Sequence, residues 1–179
     1  MRRVWILGAS GSGKSTLARG LSEKLDANCV DLDEFYWRAN WQGAPENEFI
    51  ASVERALSGP TWVVAGNYTR IQARFVPLAD TVIWLDYPLA VVLWRQVRRT
   101  LRRMWTQEPC CNGNFETLSR TLSRDSVQLW LWRTFNRRRR SGWNFKRRAR
   151  LSGTRVVHFR HPAQCGKWLE AMRQTERAR

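Results

Sequence analysis

Acid is what the second half of this 179-residue chain lacks. Residues 91–179 hold five Asp/Glu against 22 Lys/Arg, while residues 1–90 hold ten against nine. The net charge of +16 therefore sits almost wholly in one half. A half-chain that basic suits an anion: a nucleotide, a nucleic-acid backbone or an acidic surface. Single exposed arginines also serve solubility and need no partner. Cysteine is sparse and badly spaced for metal or disulfide work. Cys110 and Cys111 are neighbours, and Cys29 and Cys165 stand alone. With two histidines and no CxxC pair, this excludes the usual zinc sites and a disulfide framework. Long apolar runs are missing too. "MRRVWILGA" opens like a secretory signal, but the run is short and Lys14 follows. No stretch is long enough to cross a bilayer. The expectation is a cytoplasmic protein with reduced thiols and no membrane partner.

What is present fits one domain over residues 1–179, without repeats or a low-complexity linker. Val4–Leu7 reads as a buried strand and Lys14–Leu25 as a helix with Leu17, Leu21 and Leu25 on one face. "NCVDLDEF" supplies a second strand ending near Asp31, "TWVVA" a third, "TVIWLD" a fourth and "TRVVHF" a fifth. Helices fall at "PENEFIASVERALSGP", from Pro88 to about Trp105, from about Leu122 to Arg139, and from Pro162 onward. "IQARFVPLA" is a short helix at most, and "SGW" reads as a break. Strand–helix alternation predicts an α/β fold: a five-stranded parallel sheet with helices on both faces. Residues of about 99–145 form an insertion placed to act as a lid.

Gly8-Ala-Ser-Gly-Ser-Gly13-Lys14-Ser15 matches GxxxxGK[ST]. Glycines let successive N–H groups face one anion, and the following helix turns its positive end toward it. Gly8, Ser10, Gly11, Ser12, Gly13, Lys14, Ser15 and Thr16 are thus expected to hold the phosphates of ATP. Lys14 would reach the β- and γ-oxygens, and Ser15 would ligate Mg²⁺. Asp33 follows the second strand at the sheet edge where α/β ligands bind. It can accept the proton of an acceptor hydroxyl or help hold Mg²⁺; as an alternative it caps a helix. Tyr36 and Trp37, with Phe35 and Trp41, can flank a planar substrate or pack in the core.

The segments "GASGSGKSTLARGLSEKL", "DLDEFYW", "WVVAGNYTR" and "VIWLDYPLAVVLWR" resemble, in that order, the adenylate-kinase-related P-loop kinases. They most resemble the FlaR-like "DNA topology modulation" proteins, a subgroup of these. The likeness covers essentially the whole chain and is most specific over residues 4–105. It implies a nucleoside-monophosphate-kinase-like three-layer sandwich and a helical, arginine-rich lid. It also implies an acceptor site after strand two, with Asn67 and Arg70 of "GNYTR" against the acceptor. The lid helices would supply catalytic arginine, with Arg99 and Arg103 on the first and Arg133 and Arg137 on the second. His161 falls where the resemblance puts the adenine ring. One position departs from the pattern. Ala65 stands where such proteins usually carry an aspartate that organises Mg²⁺. Either Asp33 or Asp86 takes over, or metal-dependent turnover is weak.

Two functions follow. The first is an ATP-dependent phosphotransferase, a small-molecule or nucleotide kinase with an unidentified acceptor. The second is a nucleic-acid-associated ATPase or a nucleotide-gated DNA- or RNA-binding protein, favoured by the basic half. In that reading Arg137–Arg140 and residues 146–150 make the patch, and Trp143 and Phe145 stack on bases. Four successive arginines encircle a helix and cannot all reach one nucleotide.

Overall fold

A computed structural model describes residues 1–118, 121, 126–151 and 153–177. Five strands, β1 (Arg3–Gly8), β2 (Asn28–Asp31), β3 (Trp62–Ala65), β4 (Thr81–Leu85) and β5 (Arg155–Phe159), form one sheet in the order β2-β3-β1-β4-β5. Every pairing is parallel. The strands are interleaved with helices α1 (Lys14–Leu25), α2 (Leu32–Tyr36), α3 (Glu46–Ala56), α4 (Thr69–Phe75), α5 (Leu89–Thr106), α6 (Val127–Leu151) and α7 (Pro162–Arg177).

Short apolar strands covered on both faces give two cores. Val4, Ile6, Val63, Ile83 and Leu85 pack with Leu17 and Leu21 of α1 and with Leu131 and Phe135 of α6. Trp5, Leu7, Val30, Val64 and Val82 point the other way, onto Phe49, Val53 and Phe75 of α3 and α4. Some of the eleven tryptophans are core: Trp5 and Trp62 are buried edge-to-face with centroids 6.5 Å apart. The register brings Gly8, Asp31, Ala65 and Leu85 to one edge of the sheet, in adjacent strands.

The second long helix differs from its expected bounds. It was expected over about Leu122–Arg139; it spans Val127–Leu151 and runs straight through "SGW". Residues 122–125 lie outside the described residues. The glycine is a contact, not a break. A Cβ at Gly142 would sit 2.6 Å from Trp84 Cζ2, so only glycine lets α6 come down onto that ring. Residues 107–118 also dock rather than hang free. Asn112 Nδ2 donates to the carbonyls of Glu34 (2.6 Å) and Trp37 (2.7 Å). Asn114 accepts from Trp41 N (2.8 Å) and donates to the Arg38 carbonyl (2.9 Å). The loop is thus pinned across the segment after β2.

One substitution made twice separates contact from propensity. Gly→Ala in a helix gains up to about 1 kcal/mol. Gly166→Ala in α7 meets nothing within 4 Å and should show that gain in urea unfolding. Gly142→Ala meets a ring already stacked on His158 and edged by Trp143, which cannot swing aside. Overpacking there costs about 1–3 kcal/mol, so the net effect should be a loss.

Candidate functional site

The loop between β1 and α1 is shaped by what its glycines lack. Gly11 takes φ 80 and Gly13 takes φ 90, the left-handed region that favours glycine. A Cβ on Gly11 would lie 2.3 Å from the Val92 carbonyl oxygen of α5, so the loop is seated on that helix. The first turn of α1 has no side-chain cap, which leaves its N–H groups free for an anion. Ser12 Oγ is buried without a hydrogen-bond partner. A bound phosphate would satisfy both.

Lys14 Nζ donates to the Ala9 carbonyl at 3.1 Å, folded back across its own loop. Burial holds its ammonium below the usual range; Asp33 and Asp31 push it back up, while Arg99 and Arg138 lower it further. Cations from both long helices are therefore near the lysine. Arg99 arrives through a relay: Gln96 Oε1 accepts from Ser10 Oγ (3.0 Å) and from Arg99 Nη2 (2.7 Å). Gln96 is buried, and Arg99 Nε is a buried donor with no partner. Arg103 Nε is likewise buried without a partner, but its Nη1 is paired with Glu116 at 3.3 Å.

On α6 the arginines near the lysine differ from those expected. Arg138, not singled out from the sequence, acts on Lys14 and lies 4.1 Å over the Trp130 ring. Arg137 lines the cavity described below. Arg133 is exposed, and among the described residues no hydrogen bond or ion pair ties it to the loop. Arg139 clamps Asp86 through Nε (2.8 Å) and Nη2 (3.3 Å). The run of four is partitioned around the helix as its periodicity demands.

The carboxylates are divided as well. Asp31, not Asp33, caps α2, accepting from Asp33 N at 3.2 Å. Burial raises the Asp31 carboxyl above its usual range, while a hydrogen bond with the Ser15 side chain opposes the rise. Asp33 is exposed, and Tyr68 Oη donates to its Oδ1 at 2.8 Å. Asp86 is enclosed: besides Arg139 it accepts from His158 Nε2 at 3.2 Å. Lys146 Nζ stands 2.9 Å from His158 Nδ1. Lysine only donates, so Nδ1 accepts and the proton sits on Nε2. With Asp86 so engaged, the oxygen donors around the loop are Ser15, Asp31 and Asp33. Such a hard, partial set suits Mg²⁺, which keeps waters and phosphate oxygens as its other ligands. The sequence points to Asp33 and Asp86; Asp31 is the carboxylate whose charge the Ser15 side chain favours.

Several expected substrate contacts have other partners. Asn67 clasps Gly8, accepting from its N–H at 3.3 Å and donating to its carbonyl at 2.5 Å. Arg70 forms an exposed ion pair with Glu46. Tyr36 packs its ring on Trp37, Phe49 and Tyr68, and Trp37 packs on Trp41. His161 Nδ1 accepts from Ala163 N at 3.3 Å, at the start of α7. Beside the loop lies a cavity of about 310 Å³ at the carboxyl ends of β1 and β4, lined by Gly8, Asn67, Trp84, Arg137, Arg138 and Phe145 among others. α6 forms its roof.

No family model matches the chain. A Bacillus subtilis (strain 168) protein described as "Uncharacterized protein YqaC" is 28% identical over 105 residues, which is 57% of this chain and 58% of that protein. The chain thus matches little more than half the length of this curated relative. Among solved structures, the shikimate kinase from Acinetobacter baumannii in complex with shikimate superposes with a TM-score of 0.53 at 16% identity, covering 99% of this chain and 94% of that one. The shikimate kinase from Bacteroides thetaiotaomicron gives 0.51 at 13% identity, with 98% of each chain covered. At such identities the likeness is one of fold: this is the P-loop kinase sandwich.

The raised carboxyl of Asp31 carries a prediction with a definite sign. A folded-state pKa above the unfolded value means stability is lost as pH rises through it, so at neutral pH the charged form is a burden. Asn caps a helix as well as Asp. Asp31→Asn should therefore raise Tm at pH 7, with the gain shrinking toward pH 4, and should weaken Mg²⁺-dependent ATP binding. Calorimetric melts and nucleotide titrations with and without Mg²⁺ read the two effects separately.

Proposed function

We propose that the protein is an ATP-dependent phosphotransferase that acts on the hydroxyl of a small molecule. The observation that carries this is Asp33. It is a solvent-facing carboxylate aligned by Tyr68, close enough to Lys14 to act on its charge, and relieved of helix capping by Asp31. A carboxylate so placed can take the proton of an attacking hydroxyl. ATP would lie with its phosphates in residues 8–16, where the uncapped α1 amides, Ser12 and Lys14 meet them. Mg²⁺, held by Ser15 and Asp31, would neutralise phosphate charge. Arg99, with its unpartnered Nε, and Arg138 would face the charge that builds on the transferred group. The cavity beneath α6, which Asp33 does not line, offers the part of the acceptor away from the reacting hydroxyl aromatic walls and arginines. It lies at the carboxyl ends of the strands, where ligands bind in such sheets.

Within the P-loop kinase fold we place the chain nearest the FlaR-like proteins, on the four segments that carry that resemblance. The expected lid is kept in a narrower form: residues 107–118 and α6 cover the site, and opening would have to break the Asn112 and Asn114 contacts. Ala65 fits a site whose metal is organised from β2 instead of β3. Asp31 pairs with Ala65 in the sheet and stands beside Ser15.

ADP release in the presence of sugars, hydroxy acids and nucleoside monophosphates tests the reading. Asp33→Asn should lower kcat by roughly 10²–10⁴, a far larger effect than its effect on ATP affinity. Turnover confined to nucleoside monophosphates and indifferent to Asp33→Asn would replace the hydroxyl acceptor with a phosphate. Lys14→Ala that left ATP affinity intact would remove the nucleotide site itself.

A further inference from the structure

The outer face of α5 is not an ordinary solvent face. Its inner side is the buried row Val92, Gln96 and Thr100. Its outer side carries Trp94 at 67% exposure, Leu101 at 56% and Trp105 at 90%. At about 100° per residue these three fall within roughly 40° of one another, and at 1.5 Å per residue they run about 16 Å along the helix. Arg98 lies in the same stripe and Arg102 on its flank. The helix has five arginines and no acid. α6, joined to it by Gln128 Nε2 donating to Thr100 Oγ1 at 3.1 Å, also has no acid and exposes Trp132 at 63%.

Single exposed apolar residues are common, but a line of three large ones is a binding feature. A second copy of the chain is a poor occupant, because joining two such faces sets arginines against arginines with no carboxylate on either helix. Single-stranded nucleic acid would use the rings and the arginines. It would leave Leu101, at the middle of the stripe, with nothing to stack on. A bilayer surface with anionic headgroups uses all three parts: tryptophan at the interface, leucine at the acyl boundary and arginine on headgroup phosphates.

We propose that the outer face of α5 docks on an anionic lipid surface. Trp94, Leu101 and Trp105 enter the boundary between headgroups and acyl chains, and Arg98 and Arg102 meet the phosphates. Arg102 exchanges its contact with Glu108 (2.7 Å) to do so. The contact is peripheral: no helix among the described residues is long and apolar enough to cross a membrane. It departs from the expectation of no membrane partner because run length tests spanning, whereas a helix lying in the surface needs only a stripe. The inference stands apart from the phosphotransferase reading.

Co-sedimentation of the full chain with phosphatidylcholine vesicles, with and without phosphatidylglycerol, tests it. Binding should require phosphatidylglycerol, weaken with salt and shift tryptophan emission to the blue. The triple variant Trp94→Ser, Leu101→Ser, Trp105→Ser should bind the anionic vesicles roughly tenfold or more weakly. The double variant Arg98→Gln, Arg102→Gln should lose the preference for them. An unchanged ATP affinity in both variants shows that they are folded. Equal binding to neutral vesicles, or none to either, overturns the proposal. So does a triple variant that loses affinity for a single-stranded oligonucleotide or dissolves a dimer of the chain while vesicle binding stays as it was.

Discussion

The site depends on a missing methyl group. Gly11 brings the phosphate loop within a Cβ's reach of the Val92 carbonyl, so the loop and α5 are one packed unit. Val92 is wholly buried, and the Gln96 side chain bridges the same contact. Once the loop rests there, the direction of α5 is fixed, and with it the place where Arg99 emerges. A larger residue at position 11 would strain the loop and displace the helix that carries the arginine. The Gly8 backbone is held from the opposite side by the Asn67 clasp. The loop is gripped between β3's exit and α5, so binding an anion there would cost little in ordering it.

Around this seat some charges are answered within the chain and others are not. Asp86 at the end of β4 is buried and held by Arg139 and His158; that ties α6 to the sheet and pairs a carboxylate that lines the cavity. His158 is stacked 4.4 Å from Trp84 and edged by Trp143, so α6 meets the sheet through rings as well as charges. Burial lowers the His158 ring's basicity, opposed by its hydrogen bond to Asp86. In contrast, Arg99 Nε and Ser12 Oγ are left without partners where phosphate is expected. Polar atoms buried without partners are costly, and they are tolerated where a ligand completes them. The two sets mark which part of the crevice is framework and which part is site.

Much of this was legible in the chain. Apolar runs located β1, β3 and β4, because a parallel sheet covered on both faces leaves no alternation to confuse them; β2 and β5, at the sheet edges, are less buried. The phosphate loop was legible because its function is carried by backbone geometry, which glycine spacing records. What the sequence concealed were contacts between distant residues. Gly142 read as a helix break because its reason for being glycine, the Trp84 ring, lies on another element. Gln96 has no motif and matters only because Ser10 and Arg99 converge on it. Asn67 looked like an acceptor contact, yet its amide fits the Gly8 backbone on both sides. Arg138 differs from Arg137 by a single step of the helix, about 100°, and no periodicity argument fixes the rotation of α6 that closely.

The same step of rotation assigns α5 two separate tasks. Arg98 and Arg99 are adjacent in sequence, but one faces outward beside Trp94 and Trp105 while the other turns in toward Gln96 and the phosphate loop. The inner face is fixed by the Gly11 contact, whereas the outer face, among the described residues, is tied only at its flank, through Arg102 and Glu108. A surface gripping the outer stripe is therefore separated from the phosphate loop by the thickness of one helix. Proximity alone transmits nothing. Binding outside shifts the loop only if the two states of α5 differ in their affinity for that surface. The Gln96 relay is the joint at which such a difference would be felt, because a rotation of α5 that moved Gln96 would release Ser10 and Arg99 together.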